Sequence, residues 1–301
     1  MRSRAGPEPG RHPAAARPLE EQAPAKVNLD LRVTGRRPDG YHDLDSLVAF
    51  AACADRLTFA PDRRLSLELS GPFAAALAGQ SDNLVLRAAR RLADRAGCPP
   101  HVRIALDKRI PVAAGLGGGS ADAAATLRGL SRLWQLELTV ADLLPLALEL
   151  GADVPVCLRS RPARMRGIGE RLEPVGLPAL DLVLANPNRA VSTAQVFAGL
   201  GAIAPPCEPD GPLPSGRADL LAWLRARGND LEAPACRLAP AIAEVVETLR
   251  AQPGCRLARM SGSGATCFGI FDDQPAAAHA AEALRRARPD WWMISTATSA
   301  A

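Results

Sequence analysis

Residues 111–125 read Pro111-Val-Ala-Ala-Gly-Leu-Gly-Gly-Gly-Ser-Ala-Asp-Ala-Ala-Ala125. The glycines Gly115, Gly117, Gly118 and Gly119 leave peptide N–H groups free to line a concavity, with no Cβ to block an approaching anion. Ser120 is placed to cap a helix, and the alanine-rich stretch Ala121–Trp134 is predicted to aim its positive end back at the loop. Pro111 through Ala121, with Ala114 and Leu116 between the glycines, therefore reads as a phosphate cradle. It is not a Walker loop, because no lysine follows the last glycine, nor a dinucleotide fingerprint, because serine holds the sixth position. A flexible linker shares the glycine content but would not run straight into a capped helix.

A second glycine segment, Ser261-Gly262-Ser263-Gly264, lies between the apolar runs Arg256–Met260 and Thr266–Phe271. Alone it is equally well a plain hairpin. Beside the first loop it reads as a second backbone nest along the same phosphate chain.

From Ala25 the sequence alternates strictly, with Val27, Leu29, Leu31 and Val33 on one face and Lys26, Asn28, Asp30 and Arg32 on the other. This predicts a half-buried strand. Only two of the 36 basic residues are lysines, Lys26 and Lys108. A compact ammonium differs from a guanidinium, so each lysine invites a specific explanation beyond a solvated face. Asp153 follows a helix predicted over 140–150, capped by Thr139 and stopped by Gly151. A carboxylate there is either a turn residue before Pro155 or a group with a cationic partner and a task. Should Lys26 reach it, Asp153 would accept the proton of a substrate hydroxyl while Lys26 favours the developing alkoxide.

Tyr41, the single tyrosine, adjoins His42 just past the turn Arg37-Pro38-Asp39-Gly40. The pair suits a heteroaromatic base, or is an ordinary strand-edge aromatic. Ser81-Asp82-Asn83 offers an N-cap to a helix running to about Arg95. Short strands are expected at 46–52, 56–59, 65–69, 102–106 and 180–185, and the last third closes as strand, glycine loop, strand, helix, strand. That pattern predicts an α+β chain of two units.

The chain has 301 residues, 48% hydrophobic and 23% charged, with a net charge of +4, which is globular composition of mildly basic balance. Its 34 arginines are interspersed with 32 acids, so no basic stripe for nucleic acid emerges. No apolar run is long enough for a membrane span. Seven scattered cysteines without zinc-ligand spacing predict reduced thiols in a cytoplasmic protein. Residues 1–21, rich in Pro, Arg and Ala, are predicted as a disordered extension, and the Pro-rich stretch 201–216 as a mobile loop.

The segments PAKVNLDLRVTGRRPDGYHDLDSL, PVAAGLGGGSADAAATL and MSGSGATCFGIF, with LGADVPV and Asn229–Glu232, resemble the GHMP kinases in order and spacing from about Ala23 to the end. The glycine loop is common to that superfamily, whereas PAK-x-N-L with GRRPDGYH resembles the branch acting on a cytidine-bearing alcohol. The resemblance implies an N-terminal domain like the second domain of ribosomal S5 (22–175) packed on a ferredoxin-like C-terminal domain (176–301), with the active site between. It implies ATP-dependent phosphorylation of the 2-hydroxyl of a cytidine diphosphate-linked methylerythritol in non-mevalonate isoprenoid synthesis. Lys26 and Asp153 then match catalytic residues; Gly115–Ser120 and Ser261–Gly264 match ATP-binding motifs. Tyr41 and His42 match residues that hold the cytosine, and Phe197 would close its other side. Asn28 matches a residue near the erythritol, and Asn83 would lie near the adenine. ATP with Mg²⁺ is implied; no residue qualifies plainly as a metal ligand, Ser120 is the candidate, and phosphates would hold the ion. Homoserine- or mevalonate-type alcohols are the alternative substrates, and a non-catalytic nucleotide-binding regulator the alternative class.

Overall fold

The computed structural model describes residues 18–80, 82–201 and 213–299. Seven strands form the first sheet: β1 (Leu19–Asn28), β2 (Arg32–Arg36), β3 (His42–Pro61), β4 (Ser66–Ser70), β5 (Val102–Asp107), β6 (Ala163–Gly167) and β7 (Arg171–Pro174). The order is β4-β5-β3-β6-β7, with β1 and β2 also pairing with β3. Only β4 and β5 run parallel, joined through helix α1 (Leu84–Ala96).

β3 organises this unit because each half sorts its side chains with a period of two, and an irregularity opposite Pro24–Lys26 exchanges the faces between Ala51 and Leu57. Val48, Phe50, Leu57 and Phe59 face a core roofed by α1, α2 (Gly118–Leu133), α3 (Val140–Leu150) and α4 (Val154–Arg159). Leu47, Ala49 and Ala51 face the other way, joining Ala25 and Val27 of β1 and Leu29 just past its end against the second sheet.

That second sheet holds β8 (Asp181–Asn186), β9 (Cys255–Met260), β10 (Cys267–Phe271) and β11 (Trp292–Ala297) in the order β11-β8-β10-β9, all antiparallel. With strands ranked by sequence, this is the fourth-first-third-second order of a ferredoxin-like sheet. Between β8 and β9 lie α5 (Thr193–Ala198), α6 (Arg217–Arg227), α7 (Glu232–Leu238) and α8 (Ala241–Arg250), and α9 (Gln274–Ala287) precedes β11. Val183 and Ala185 of β8 face α8 and α9, while Leu182 and Leu184 meet the first sheet beside Leu220 and Leu224 of α6. Both faces of β8 are thus apolar, as its uninterrupted hydrophobic run requires.

Three expectations change. β1 begins at Leu19, inside the stretch read as disordered through residue 21: Leu19, Glu20 and Glu21 pair with Phe59, Thr58 and Leu57. The composition of the leader says nothing of the long partner strand that takes up its backbone hydrogen bonds. Residues 1–17, and 202–212 of the Pro-rich stretch, lie outside the described residues. The segments read as separate strands at 46–52 and 56–59 are one strand of 20 residues. Finally, the alternating stretch 25–31 is buried on both faces, not half-buried. Its polar side chains are paired internally: Asn28 donates to Ser46 Oγ at 2.7 Å, and Asp30 meets Arg227 while accepting from the Leu47 N–H at 2.5 Å.

Candidate active site

The two glycine loops meet backbone to backbone. Ser261 Oγ donates to the Gly115 carbonyl at 3.0 Å, and the Thr266 N–H donates to the Ala114 carbonyl at 3.0 Å. Gly115 has φ +74°, and a Cβ there would overlap the Ser261 carbonyl and stand 2.8 Å from the Gly264 nitrogen. Only glycine allows both this backbone conformation and this approach.

Helix α2 starts at Gly118, with Gly117 (φ 62°) as its N-cap and no side-chain cap. Ser120 is therefore not the cap expected from sequence; it sits in the helix's first turn. The left-handed glycine turns the chain into the helix three residues earlier, which leaves the N–H groups of the first turn without intrahelical acceptors at the helix's positive end. The cradle is stronger for it, since no side chain competes for those donors.

Lys26 stands beside the loop. Its N–H donates to the Leu116 carbonyl at 2.9 Å, and its Nζ donates to Asp153 Oδ1 at 2.7 Å. The lysine side chain passes so close to Gly117 that a Cβ there would lie 3.2 Å from Lys26 Cε. Asp153 occupies the turn between α3 and α4; it is the N-cap residue of the short helix α4, yet makes no side-chain cap bond. Its carboxylate is spent on Lys26. The lysine side chain is 4% exposed and the aspartate side chain 34%, so the acid is the more open of the two.

Asn28 lies two residues along β1, on the same face as Lys26. Its backbone N–H donates to Ser261 Oγ at 3.1 Å, so β1 holds the second loop directly. Its side-chain oxygen is buried without a partner, and a Cβ on Gly262 would come within 3.3 Å of it.

These groups line one cleft of about 1030 Å³, ample for two small-molecule ligands. Ala114, Gly115, Gly117–Ser120, Gly262 and Ser263 form one end, with Lys26, Asn28 and Asp153 between it and Tyr41, His42 and Phe197. Leu116, Ala121 and Ser261 are buried behind the lining with Pro111, and Gly264 backs Gly115. Asn83 caps α1 through its bond from the Val85 N–H at 2.8 Å, and its neighbour Leu84 lines the cleft instead.

At the far end the His42 and Phe197 rings stack, with centroids 4.9 Å apart and planes at 26°. A base slotted between two rings needs about 7 Å, so Phe197 stands where it was expected to leave a gap. Burial, and then the charge of Arg36, lowers the pKa of His42, which favours a neutral imidazole with one donor and one acceptor nitrogen. Tyr41 is 59% exposed at the rim.

The family models for the GHMP kinases N terminal domain and the GHMP kinases C terminal match residues 83–161 and 215–290. A protein of Rhodospirillum rubrum named 4-diphosphocytidyl-2-C-methyl-D-erythritol kinase is 54% identical over 92% of each chain. The chain belongs to the GHMP kinases. The crystal structure of a 4-(cytidine 5'-diphospho)-2C-methyl-D-erythritol kinase is 41% identical and superposes with a TM-score of 0.74 over 93% of this chain and 100% of that one. A homoserine kinase from Cytophaga hutchinsonii, 19% identical with a TM-score of 0.66 over 94% and 95%, shares the fold.

Several supports of this kinase's cleft have roles that the sequence does not give, even where it marks the residues. Lys108, the second lysine, is buried between Asp55 at 2.5 Å and Asp122 at 2.6 Å. Asp55 also accepts from the N–H groups of Arg109 and Ile110 at 2.6 and 2.8 Å, so one carboxylate anchors the start of the phosphate loop to β3. Burial, with the charge of Asp55 adding to it and Lys108 opposing, pushes the Asp122 carboxyl up to about 7. Asn229 donates to the carbonyls of Met260 and Gly262 at 2.9 Å each, and Glu232 accepts from the Met260 N–H at 2.7 Å. The scarcity of lysine was a signal for Lys108; for Asp55 and Asp122 nothing local marked a role.

Among the described residues no helix is long and apolar enough to cross a membrane, and no group of three or more His, Cys, Asp or Glu side chains is arranged to hold a metal. The six described cysteines are unpaired.

Proposed function

We propose that this ATP-dependent kinase phosphorylates the 2-hydroxyl of 4-(cytidine 5'-diphospho)-2-C-methyl-D-erythritol, in two units divided near residue 175, in the cytoplasm. The Lys26–Asp153 contact of 2.7 Å beside the helix-backed glycine loop carries the reading. The ATP triphosphate lies on the free N–H groups at the start of α2 and along Gly262–Ser263, with its γ-phosphorus toward Asp153. The acceptor hydroxyl donates to Asp153, which takes its proton as the oxygen attacks; Lys26 fixes the carboxylate and offsets charge on the alkoxide. The orphaned Asn28 oxygen accepts from another acceptor hydroxyl. The cytosine is held by Tyr41, His42 and Phe197, with ring–base contacts replacing the ring–ring contact.

Mg²⁺ fits this donor set: it needs only one or two protein oxygens when phosphates and water supply the rest. Ser120 would be its protein ligand, and the ion would neutralise charge on the transferring phosphate. The His42–Phe197 end supports a cytidine-bearing acceptor over homoserine or mevalonate, which have no ring to stack.

The test is a coupled ADP-release assay with the cytidine diphosphate alcohol, homoserine and mevalonate at equal concentration. Turnover of the first alone supports the reading. Preference for either acyclic alcohol overturns it.

A further inference from the structure

The cleft has two cationic side chains in its lining, Lys26 and Arg36, and they are not equivalent. Lys26 is paired with Asp153. Arg36 lines the base end, is exposed, and makes no ion pair with any carboxylate among the described residues. Its sequence neighbour Arg37 differs, being paired with both Asp43 and Glu170, at 2.8 and 3.1 Å.

Its position is fixed by backbone pairing. Arg36 is the last residue of β2 and stands directly opposite His42 in β3. Residues opposite one another in an antiparallel ladder project to the same face, so the guanidinium lies one cross-strand step from the imidazole. Its charge is felt there, being the second cause of the lowered pKa of His42. A cation beside a base-reading ring, with no carboxylate partner among the described residues, is placed to meet phosphates attached to that base.

We infer that Arg36 is the residue that binds the diphosphate of the acceptor, pairing its planar fork with phosphate oxygens beside the base held by His42. This rests on the acceptor proposed above and deepens it. The hydroxyl end of that acceptor is served by Asp153 and Asn28 and the base end by the rings, and Arg36, beside His42, supplies the charge for the diphosphate attached to the base. Arginine is suited to that task because two parallel N–H bonds fix orientation as well as supplying attraction.

The experiment measures CDP and cytidine binding by calorimetry, and steady-state kinetics, on the unaltered kinase, Arg36→Ala and Arg36→Lys. CDP and cytidine share the base and ribose and differ only in the diphosphate. Arg36→Ala should weaken CDP about tenfold or more while cytidine and the KM for ATP change less than about twofold, the size expected for one charge-assisted contact. Arg36→Lys should recover part of the loss, because it keeps charge but not the fork. Equal weakening of CDP and cytidine would mean that the guanidinium stacks on the base, and overturns the inference. So would CDP binding unchanged in Arg36→Ala. If the unaltered kinase bound neither CDP nor cytidine, the cytidine-bearing acceptor would itself be wrong, a failure separable from the two before it.

Discussion

The ammonium of Lys26 lies 2.7 Å from Oδ1 of Asp153, across 127 positions of sequence. The contact depends on two backbone features rather than on either residue alone. Gly117 lacks the Cβ that would crowd the lysine side chain, and the break between α3 and α4 turns the aspartate out of both helices. A pair built this way is held at the edge of the phosphate loop, where an acid that accepts a hydroxyl proton is needed.

Asp153→Asn keeps the shape of that side chain and removes its basicity. The expected outcome is a fall in kcat of about 10²–10⁴, with the Kd for ATP unchanged within about twofold. ADP release and ATP calorimetry on the same preparation check it. Turnover at the original rate would remove Asp153 from the chemistry.

His42→Ala removes a neutral imidazole and the surface on which Phe197 stacks. KM for the cytidine-bearing acceptor should rise about tenfold, as expected when a stacking contact of about 1–3 kcal/mol is lost, with little change in KM for ATP. Equal effects on both ligands would instead show that the ring holds the cleft's shape.

Gly115→Ala places a methyl group against the Ser261 carbonyl and the Gly264 nitrogen, in a backbone conformation at φ +74° that alanine adopts only with strain. Gly79→Ala is the comparison: φ is +77°, yet nothing lies within 4 Å of the added carbon. Gly79→Ala should cost about 1–3 kcal/mol of stability from conformation alone. Gly115→Ala should cost more and also raise KM for ATP, because the two loops are forced apart. Urea melts and ATP kinetics for the two variants check this, and equal costs with normal ATP kinetics would show that the loops do not depend on their contact.

What sequence reveals here follows the range of the physics. The glycine loop, the caps at Asn83 and Thr139, and the alternation around Val27 are local signals and carry over into the structure. The burial of the polar side chains of the 25–31 stretch is not local: Asp30 is satisfied by Arg227, 197 positions away. An aspartate inside an apolar strand reads as a break, which is how β3 divides on paper near Asp55; its partners at Lys108, Arg109 and Ile110 come from the loop after β5. The helices α4 and α5, six residues each, are too short for a helical period to declare itself. At the site, residue types were legible and spacing was not: nothing in the order of Tyr41, His42 and Phe197 says that the last two already stack.

The buried cluster of Lys108, Asp55 and Asp122 sets up a pH dependence whose sign can be worked out. Asp122 has a folded pKa pushed up to about 7 against an ordinary 3.8, chiefly by burial. The folded protein therefore binds a proton more tightly at this site than the unfolded chain does. Its contribution is fully present below about pH 4 and is lost as pH rises through about 7. Asp122→Asn removes the titration but leaves Lys108 neutralised by Asp55, so the variant should lose less stability than the unaltered kinase between pH 5 and 8. Asp55→Asn is a different case. Its carboxylate accepts from Lys108 and two backbone N–H groups, and an amide that turns a donor toward any of them costs about 2–4 kcal/mol at every pH in that window. Denaturant-derived stabilities of the three proteins at four pH values separate the two effects. Parallel pH profiles for the unaltered kinase and Asp122→Asn would show that the Asp122 proton is not exchanged in that range, and the buried cluster would then be a fixed structural brace beneath the phosphate loop.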